Sequence, residues 1–350
     1  MFKGCYTALI TPFIDEQIDM NGLDQLVSFQ IENNVAGIVA VGTTGESPTL
    51  IWDEHNTVIK FIADKTQSKC ACIAGTGSNN TKEAINAVRH AAVSGVSAVL
   101  LVDPYYNGPS SLEIRKEYYE PIAQKFPDLP MIPYIIPGRT GTQLLPEDLA
   151  ILKQSYSNVK AVKEATGDFV NMKKTRQLCG VDFGIISGDD DKTCQMMTEP
   201  DIQASGVISV IANIAPRAVQ DMVNAYEQKD YQKGEQLQKA LSPLFKLVSV
   251  VTTENTPFGP VTCRARNPLP CKTLMQILGM PSGPCRQPTG KMTQNGISAL
   301  IAAARTVNEK NPEIFAPLAD FFNVNIDERL SDNKRHLPLT YTDKTGQSVY

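Results

Sequence analysis

The chain has little of what several protein classes require. No apolar run approaches the ~18 residues that a membrane-spanning helix needs. There are three histidines and one tryptophan in 350 residues, and no basic cluster interleaved with aromatics, which argues against a nucleic-acid partner. The formal charge of −4 agrees with that. The eight cysteines (Cys5, Cys70, Cys72, Cys179, Cys194, Cys263, Cys271, Cys285) form no CxxC pair and have no histidine at ligand spacing. Reduced thiols and no metal site are expected, in a cytoplasmic protein. Met1 is followed almost directly by the apolar Cys5-Tyr6-Thr7-Ala8-Leu9-Ile10, so no signal peptide is expected. No G-x-G-x-x-G follows the first strand, and Gly75-Thr76-Gly77 alone carries nothing, which removes a dinucleotide-binding fold.

What is present is a repeat of short β-branched or apolar runs separated by helical periodicity. The runs are Thr7–Thr11, Gly37–Val41, Ala71–Ala74, Ala98–Val102, Ile132–Ile136, Val159–Lys163, Gly184–Ser187 and Val207–Val210. Between them, Leu23, Leu26, Val27 and Ile31 share one stripe of a helix over 21–31, and Ala84, Ile85, Val88 and Ala92 share one over 81–92. Thr81, with Glu83 behind it, suits a helix start. Eight such units predict an α/β fold of the closed (β/α)8 TIM-barrel type, with a C-terminal helical appendage. The division expected is a catalytic barrel over 1–228, a helical region over 229–326 and a polar, loosely ordered tail over 327–350. Helices are expected over 237–251 and 296–307.

Active sites of such barrels lie at the C-terminal ends of the strands. Strand parity places Val159, Ala161 and Lys163 on one face, an apolar face with a lysine at its mouth. Desolvation there disfavours the ammonium and leaves an amine able to attack a carbonyl. The competing reading is a lysine that snorkels to solvent or pairs with a carboxylate. Tyrosines, threonines and an arginine at neighbouring strand ends favour the nucleophile. Thr43 and Thr44, between Gly42 and Gly45, offer hydroxyls and backbone N–H groups to a carboxylate. Tyr106 and Tyr134 supply phenols for proton transfer, and Arg139, after Pro137-Gly138, can take a carboxylate bidentately. Structural threonines, amphipathic core tyrosines and a surface ion pair are the plainer readings of these groups.

Six motifs in order give the chain a family resemblance: Thr11-Pro12-Phe13, Gly42-Thr43-Thr44-Gly45-Glu46-Ser47, Pro104-Tyr105-Tyr106-Asn107, Arg139-Thr140-Gly141, Lys163-Glu164-Ala165-Thr166-Gly167 and Ser187-Gly188-Asp189-Asp190. Over roughly residues 3–225 it resembles the dihydrodipicolinate synthase family of pyruvate-dependent lyases. The resemblance implies that Lys163 forms a Schiff base with pyruvate, whose enamine attacks L-aspartate-4-semialdehyde to give 4-hydroxy-tetrahydrodipicolinate on the way to lysine. It implies a proton relay of Thr43, Tyr134 and Tyr106, with Tyr106 reaching in from a neighbouring subunit. Thr44 would help hold the pyruvate carboxylate, Ile208 would line the pocket, Arg139 would bind the semialdehyde carboxylate, and Gly188 would offer its carbonyl. No cofactor is implied, and a homotetramer of tight dimers is the family's usual assembly. L-Lysine is implied as an effector at Ser47, Pro48, Trp52, His55, Asn79, Glu83 and Tyr105, with Glu83 on its α-ammonium and Asn79 on its carboxylate.

The chain departs from the family pattern in places. Ile135 stands where asparagine is usual, Asp191–Ser205 is slightly long, Val251–Arg266 is inserted before Asn267-Pro268, and the tail is extended. The rival functions are a sister lyase acting on sialic acid or a sugar-derived keto acid, a non-catalytic binding barrel, and a phosphosugar isomerase. The last would want a phosphate loop after the seventh and eighth strands, where Asp189-Asp190-Asp191 would repel phosphate.

Overall fold

The structure is a computed structural model, and it describes residues 2–342. Eight parallel strands close into a barrel: β1 (Gly4–Ala8), β2 (Gly37–Ala40), β3 (Ala71–Gly75), β4 (Ala98–Val102), β5 (Met131–Ile135), β6 (Ala161–Glu164), β7 (Gly184–Ser187) and β8 (Gly206–Ser209). Closure runs through β1, which pairs with β8 (Tyr6 beside Ile208) and with β2 (Thr7 beside Ile38). The predicted strands are all present, with ends shifted by a few residues. The largest shift is at β1, where Leu9–Thr11 continue past the strand toward the barrel mouth. Helices α1 (Met20–Glu32), α2 (Trp52–Thr66) and α3 (Thr81–Val93) follow the first three strands. The cap of α3 is Asn80 rather than Thr81, its side chain accepting from the Lys82 N–H.

Alternation sorts each strand into two layers. Tyr6, Ala8, Val39, Ile73, Ala98, Leu100, Ile132, Tyr134, Ala161, Ile186 and Ile208 fill the barrel interior. Outward residues such as Ile38, Ile135, Val162 and Ile185 join a larger core beneath the helices. Val159, expected to face inward with Ala161 and Lys163, lies before β6 in a single bridge to Met131 and packs in the outer core. The residue nearest the strand edge had escaped the parity rule. Ile135 is also outward-facing, so its departure from the usual asparagine falls beneath the helices and outside the barrel interior.

Beyond α4 (Pro216–Glu227), the chain adds α5 (Tyr231–Phe245), α6 (Leu269–Leu278) and α7 (Gln294–Lys310). Two expectations fail here. The helix expected over 237–251 stops at Phe245, and an antiparallel hairpin follows, β9 (Ser249–Thr256) paired with β10 (Gly259–Arg266). The tail expected to be loose from Asp327 forms short helices at Ile326–Ser331 and Asn333–His336, with Ile326, Leu330 and His336 buried. Its polar sequence hides an apolar stripe that docks on the appendage, and Arg329 ties it to the Gln276 and Ile277 carbonyls. The part of the expected tail after 342 lies outside the described residues.

The appendage folds back over the barrel mouth. All but one residue of α6 is buried, and Lys272 from its middle meets the Glu46 carboxylate at 2.6 Å and the Thr11 and Pro284 carbonyls at 2.9 Å. Asn267, just before α6, donates to the Thr44 hydroxyl at 2.9 Å. Barrel loops and appendage thus meet over the strand ends.

Candidate active site

Lys163 ends the inward face of β6, directly beside Tyr134 of β5 in the ladder. Its ammonium lies 4.1 Å from the centre of the Tyr134 ring. The side chain is only 6% exposed, and among the described residues it forms no ion pair. The snorkelling and salt-bridge readings both fail on these facts. Burial pulls its pKa down from 10.5 to about 8, while Asp189 and Asp190 oppose the shift and Arg139 adds to it. An appreciable fraction is therefore neutral amine near pH 7.

Gly188 shows why a glycine follows β7. A Cβ there would stand 2.7 Å from that of Ala165 and 3.1 Å from the Lys163 Cε, so the lysine stem occupies the space. Asp190, two residues on, accepts from the Val210 and Ile211 N–H groups and from the Ser209 hydroxyl, so its hydrogen bonds go to groups other than Lys163. Asp189 instead lines the chamber, and burial raises its pKa.

Tyr134 is buried, and desolvation pushes its phenol up to about 12, with Thr43 pulling the other way. A phenol that stays protonated beside an amine that can lose its proton is a donor–acceptor pair with separated pKa values. Thr44 is buried, and its hydroxyl oxygen accepts from Asn267, leaving its own proton to donate into the chamber. Arg139 sits on the short turn after β5 and donates through Nη2 to the Asn267 carbonyl at 2.8 Å. Its guanidinium keeps other N–H groups for a ligand. Thr44, Tyr134, Arg139, Lys163, Gly188 and Asp189 share one chamber of about 210 Å³.

Ile208 lies in the interior layer below this chamber. Tyr106 is not brought into the site: it is 92% exposed, with φ of +80°. Among the described residues its side chain has no hydrogen-bonded or stacked partner.

A second cavity, also about 210 Å³, contains Thr43 and shares Tyr134 and Arg139 with the Lys163 chamber. Across Ser47, Pro48 and Tyr105 it adjoins a third, of about 170 Å³, walled by Trp52, His55 and Glu83. Asn79 does not line that third cavity. Its side-chain oxygen accepts from the Tyr105 N–H at 3.0 Å and sets the loop after β4. Glu83 accepts from the Ser78 hydroxyl at 2.7 Å. Burial holds the His55 imidazole down at about 4, so it is neutral at pH 7, and Trp52 stands edge-on to it at 5.0 Å.

Sequence reasoning missed the roof. Val248, Ser249, Arg264, Arg266 and Asn267 line the Lys163 chamber, and none had been named as a site residue. The period-two placement of Arg264 and Arg266 was the available signal.

A model of the dihydrodipicolinate synthetase family matches residues 1–306. The chain belongs to that family. It is 42% identical over 293 residues to the 4-hydroxy-tetrahydrodipicolinate synthase of Trichlorobacter lovleyi, covering 84% of this chain and 94% of the relative. Solved members superpose on it closely. The dihydrodipicolinate synthase of Acinetobacter baumannii complexed with pyruvate gives a TM-score of 0.79 at 33% identity, covering 88% of this chain and 99% of that one. The enzyme from Cyanidioschyzon merolae with lysine bound gives 0.79 at 32%, with 88% and 99% covered. The chain is thus an enzyme, a lyase of this family, and no helix among the described residues is long and apolar enough to cross a membrane.

Proposed function

We propose that this lyase condenses pyruvate with L-aspartate-4-semialdehyde to give 4-hydroxy-tetrahydrodipicolinate, the committed step toward diaminopimelate and lysine. The observation that carries the reading is the buried, unpaired Lys163 beside the Tyr134 phenol. The neutral amine adds to the pyruvate ketone, and loss of water gives the imine. Removal of a methyl proton gives an enamine, whose carbon attacks the aldehyde of the second substrate. The amino group of that substrate then displaces Lys163 and closes the ring.

Thr43 and Thr44 suit the pyruvate carboxylate, since Thr44 has a free hydroxyl proton and both sit in a glycine-bounded turn. Tyr134 is the acid that assists loss of water, with Thr43 next in a relay. Tyr106 of a second subunit would complete that relay, and its exposure in its own subunit suits such a role. The dimer or tetramer this requires is part of the proposal. Arg139 suits the semialdehyde carboxylate and Gly188 a backbone contact to the same substrate, while Ile208 supports the floor.

The cavity walled by Trp52, His55 and Glu83 is read as the L-lysine effector site. Its neutral histidine does not repel a cation, and its glutamate attracts one. The relative crystallised with lysine supports this reading. The cavity shared with Thr43 and Tyr134 gives it a physical path to the chemistry. Lysine should quench Trp52 fluorescence, and Glu83→Ala should remove inhibition while turnover persists. Unchanged turnover at several millimolar lysine would refute the effector site.

For the catalytic reading the test is Lys163→Ala. Turnover and the borohydride-trapped pyruvate adduct should both vanish in a folded protein. Retained adduct would refute the role of Lys163.

A further inference from the structure

The hairpin β9–β10 has two unlike faces. Val250 and Glu254 of β9 are buried, and this face is fastened to α7: Asn295 donates to the Glu254 carboxylate at 2.8 Å, and Thr252 bonds Thr293 at 3.3 Å. Parity puts Ser249 and Val251 of β9 with Arg264 and Arg266 of β10 on the opposite face. The base of that face is the roof over Lys163, since Ser249, Arg264 and Arg266 all line its chamber. Arg266 donates to the Gly138 carbonyl at 3.3 Å, bracing the turn that carries Arg139.

Charge is uneven in this chamber. Lys163, Arg139, Arg264 and Arg266 line it, against one carboxylate, Asp189. Among the described residues, none of the three arginines forms an ion pair. Arg266 is close enough to Arg139 to disfavour its charge. Arg139 and Arg266 repel each other, and Arg264, exposed like Arg266, adds a third guanidinium to the lining, a field that an entering anion would relieve. Guanidinium geometry suits a planar carboxylate, and the arginines line the same chamber as Thr44 of the turn that suits pyruvate.

We propose that the hairpin supplies Arg264 and Arg266 as a second cationic subsite, which with Arg139 captures the carboxylate of the second substrate and admits only acids that carry one. The inserted segment is then a specificity element of this chain. The inference rests on the condensation proposed above, with the second substrate entering beneath the roof after the imine has formed. Arg264, without a hydrogen-bonded partner among the described residues, makes the ligand contact, and Arg266 both binds and holds the Arg139 turn.

The test is steady-state kinetics on Arg264→Gln, Arg264→Lys and the Arg264→Gln/Arg266→Gln double variant, with borohydride trapping of pyruvate on each. Losing a charge-assisted contact should raise KM for L-aspartate-4-semialdehyde about tenfold in Arg264→Gln. The double variant should lose more, and lysine at 264 should restore part of the loss. The dependence of kcat/KM on ionic strength should flatten in the glutamine variants, and the trapped pyruvate adduct should form as in the unaltered enzyme. Unchanged KM and salt dependence with normal trapping would overturn the roof subsite and leave the condensation standing. Equal losses for pyruvate and the semialdehyde would also overturn it, as general electrostatics. No trapped adduct in the unaltered enzyme would instead overturn the condensation itself.

Discussion

Lys163 and Lys272 are both withdrawn from water, one at the end of β6 and the other in the middle of α6, yet their surroundings differ in kind. Lys272 is 0% exposed, and its ammonium has the Glu46 carboxylate and two backbone carbonyls around it. It also lies 4.3 Å from the Phe13 ring centre. Burial lowers the pKa at both sites, but at Lys272 the Glu46 carboxylate opposes that shift from hydrogen-bond distance and gives the ammonium a partner. At Lys163 an aromatic ring stands where a carboxylate would be. Burial alone therefore does not make a lysine a nucleophile; burial without a partner does. The first site clamps the appendage to the barrel, and the second keeps an amine available for chemistry.

The largest expected difference is in catalysis. Lys163→Ala should abolish detectable turnover in a steady-state assay, whereas Lys272→Met should act only through stability. A soluble, folded Lys272→Met protein with no activity would blur the contrast and give Lys272 a part in the chemistry.

Stability should respond in opposite directions. Lys272→Met leaves Glu46 buried without its cation and should cost about 3–5 kcal/mol in denaturant unfolding. Lys163→Met should stabilise. The sign follows from linkage. The folded pKa of Lys163 is about 8 against 10.5 in the open chain, so between those values the unfolded state binds more protons and stability rises with pH. Below pH 8 the full penalty applies, on the order of 3 kcal/mol, and methionine removes it. The gain should shrink as pH rises from 8 to 10.5. A destabilising Lys163→Met at pH 7 would show that the lysine is paired after all.

Smaller effects concern groups around Lys163. Arg139→Ala should raise KM for the semialdehyde while leaving the trapped pyruvate adduct intact, and loss of the adduct would deny it a role confined to the second substrate. Mixing Lys163→Ala with Tyr106→Phe should recover some activity through hybrid oligomers. No recovery after confirmed subunit exchange would mean that Tyr106 does not serve a neighbouring site.

The two lysines also show what the sequence discloses. Lys163 was legible because its strand, the motif after it and its neighbours at other strand ends all agree. Lys272 was not, because its meaning comes from Glu46, 226 positions away, and no local pattern announces that contact. The eight strands were readable from apolar runs, with errors only at their edges, where parity no longer applies to residues such as Val159. The hairpin was lost because Leu237–Val251 carries apolar residues at a spacing that a helix also explains, although Val250-Val251-Thr252-Thr253 is β-branched. With the hairpin went Arg264 and Arg266. The third cavity was legible through resemblance alone, since Trp52, Glu83 and Tyr105 come from three separate βα segments.

The most direct test is to trap pyruvate with borohydride across a pH series, digest the protein and locate the modified lysine by mass spectrometry. The adduct should map to the peptide containing Lys163, with its initial rate climbing as pH rises through about 8. An adduct on Lys272, or on Lys163 at a rate that rises only near pH 10.5, would contradict the claim that an unpaired buried amine is the nucleophile.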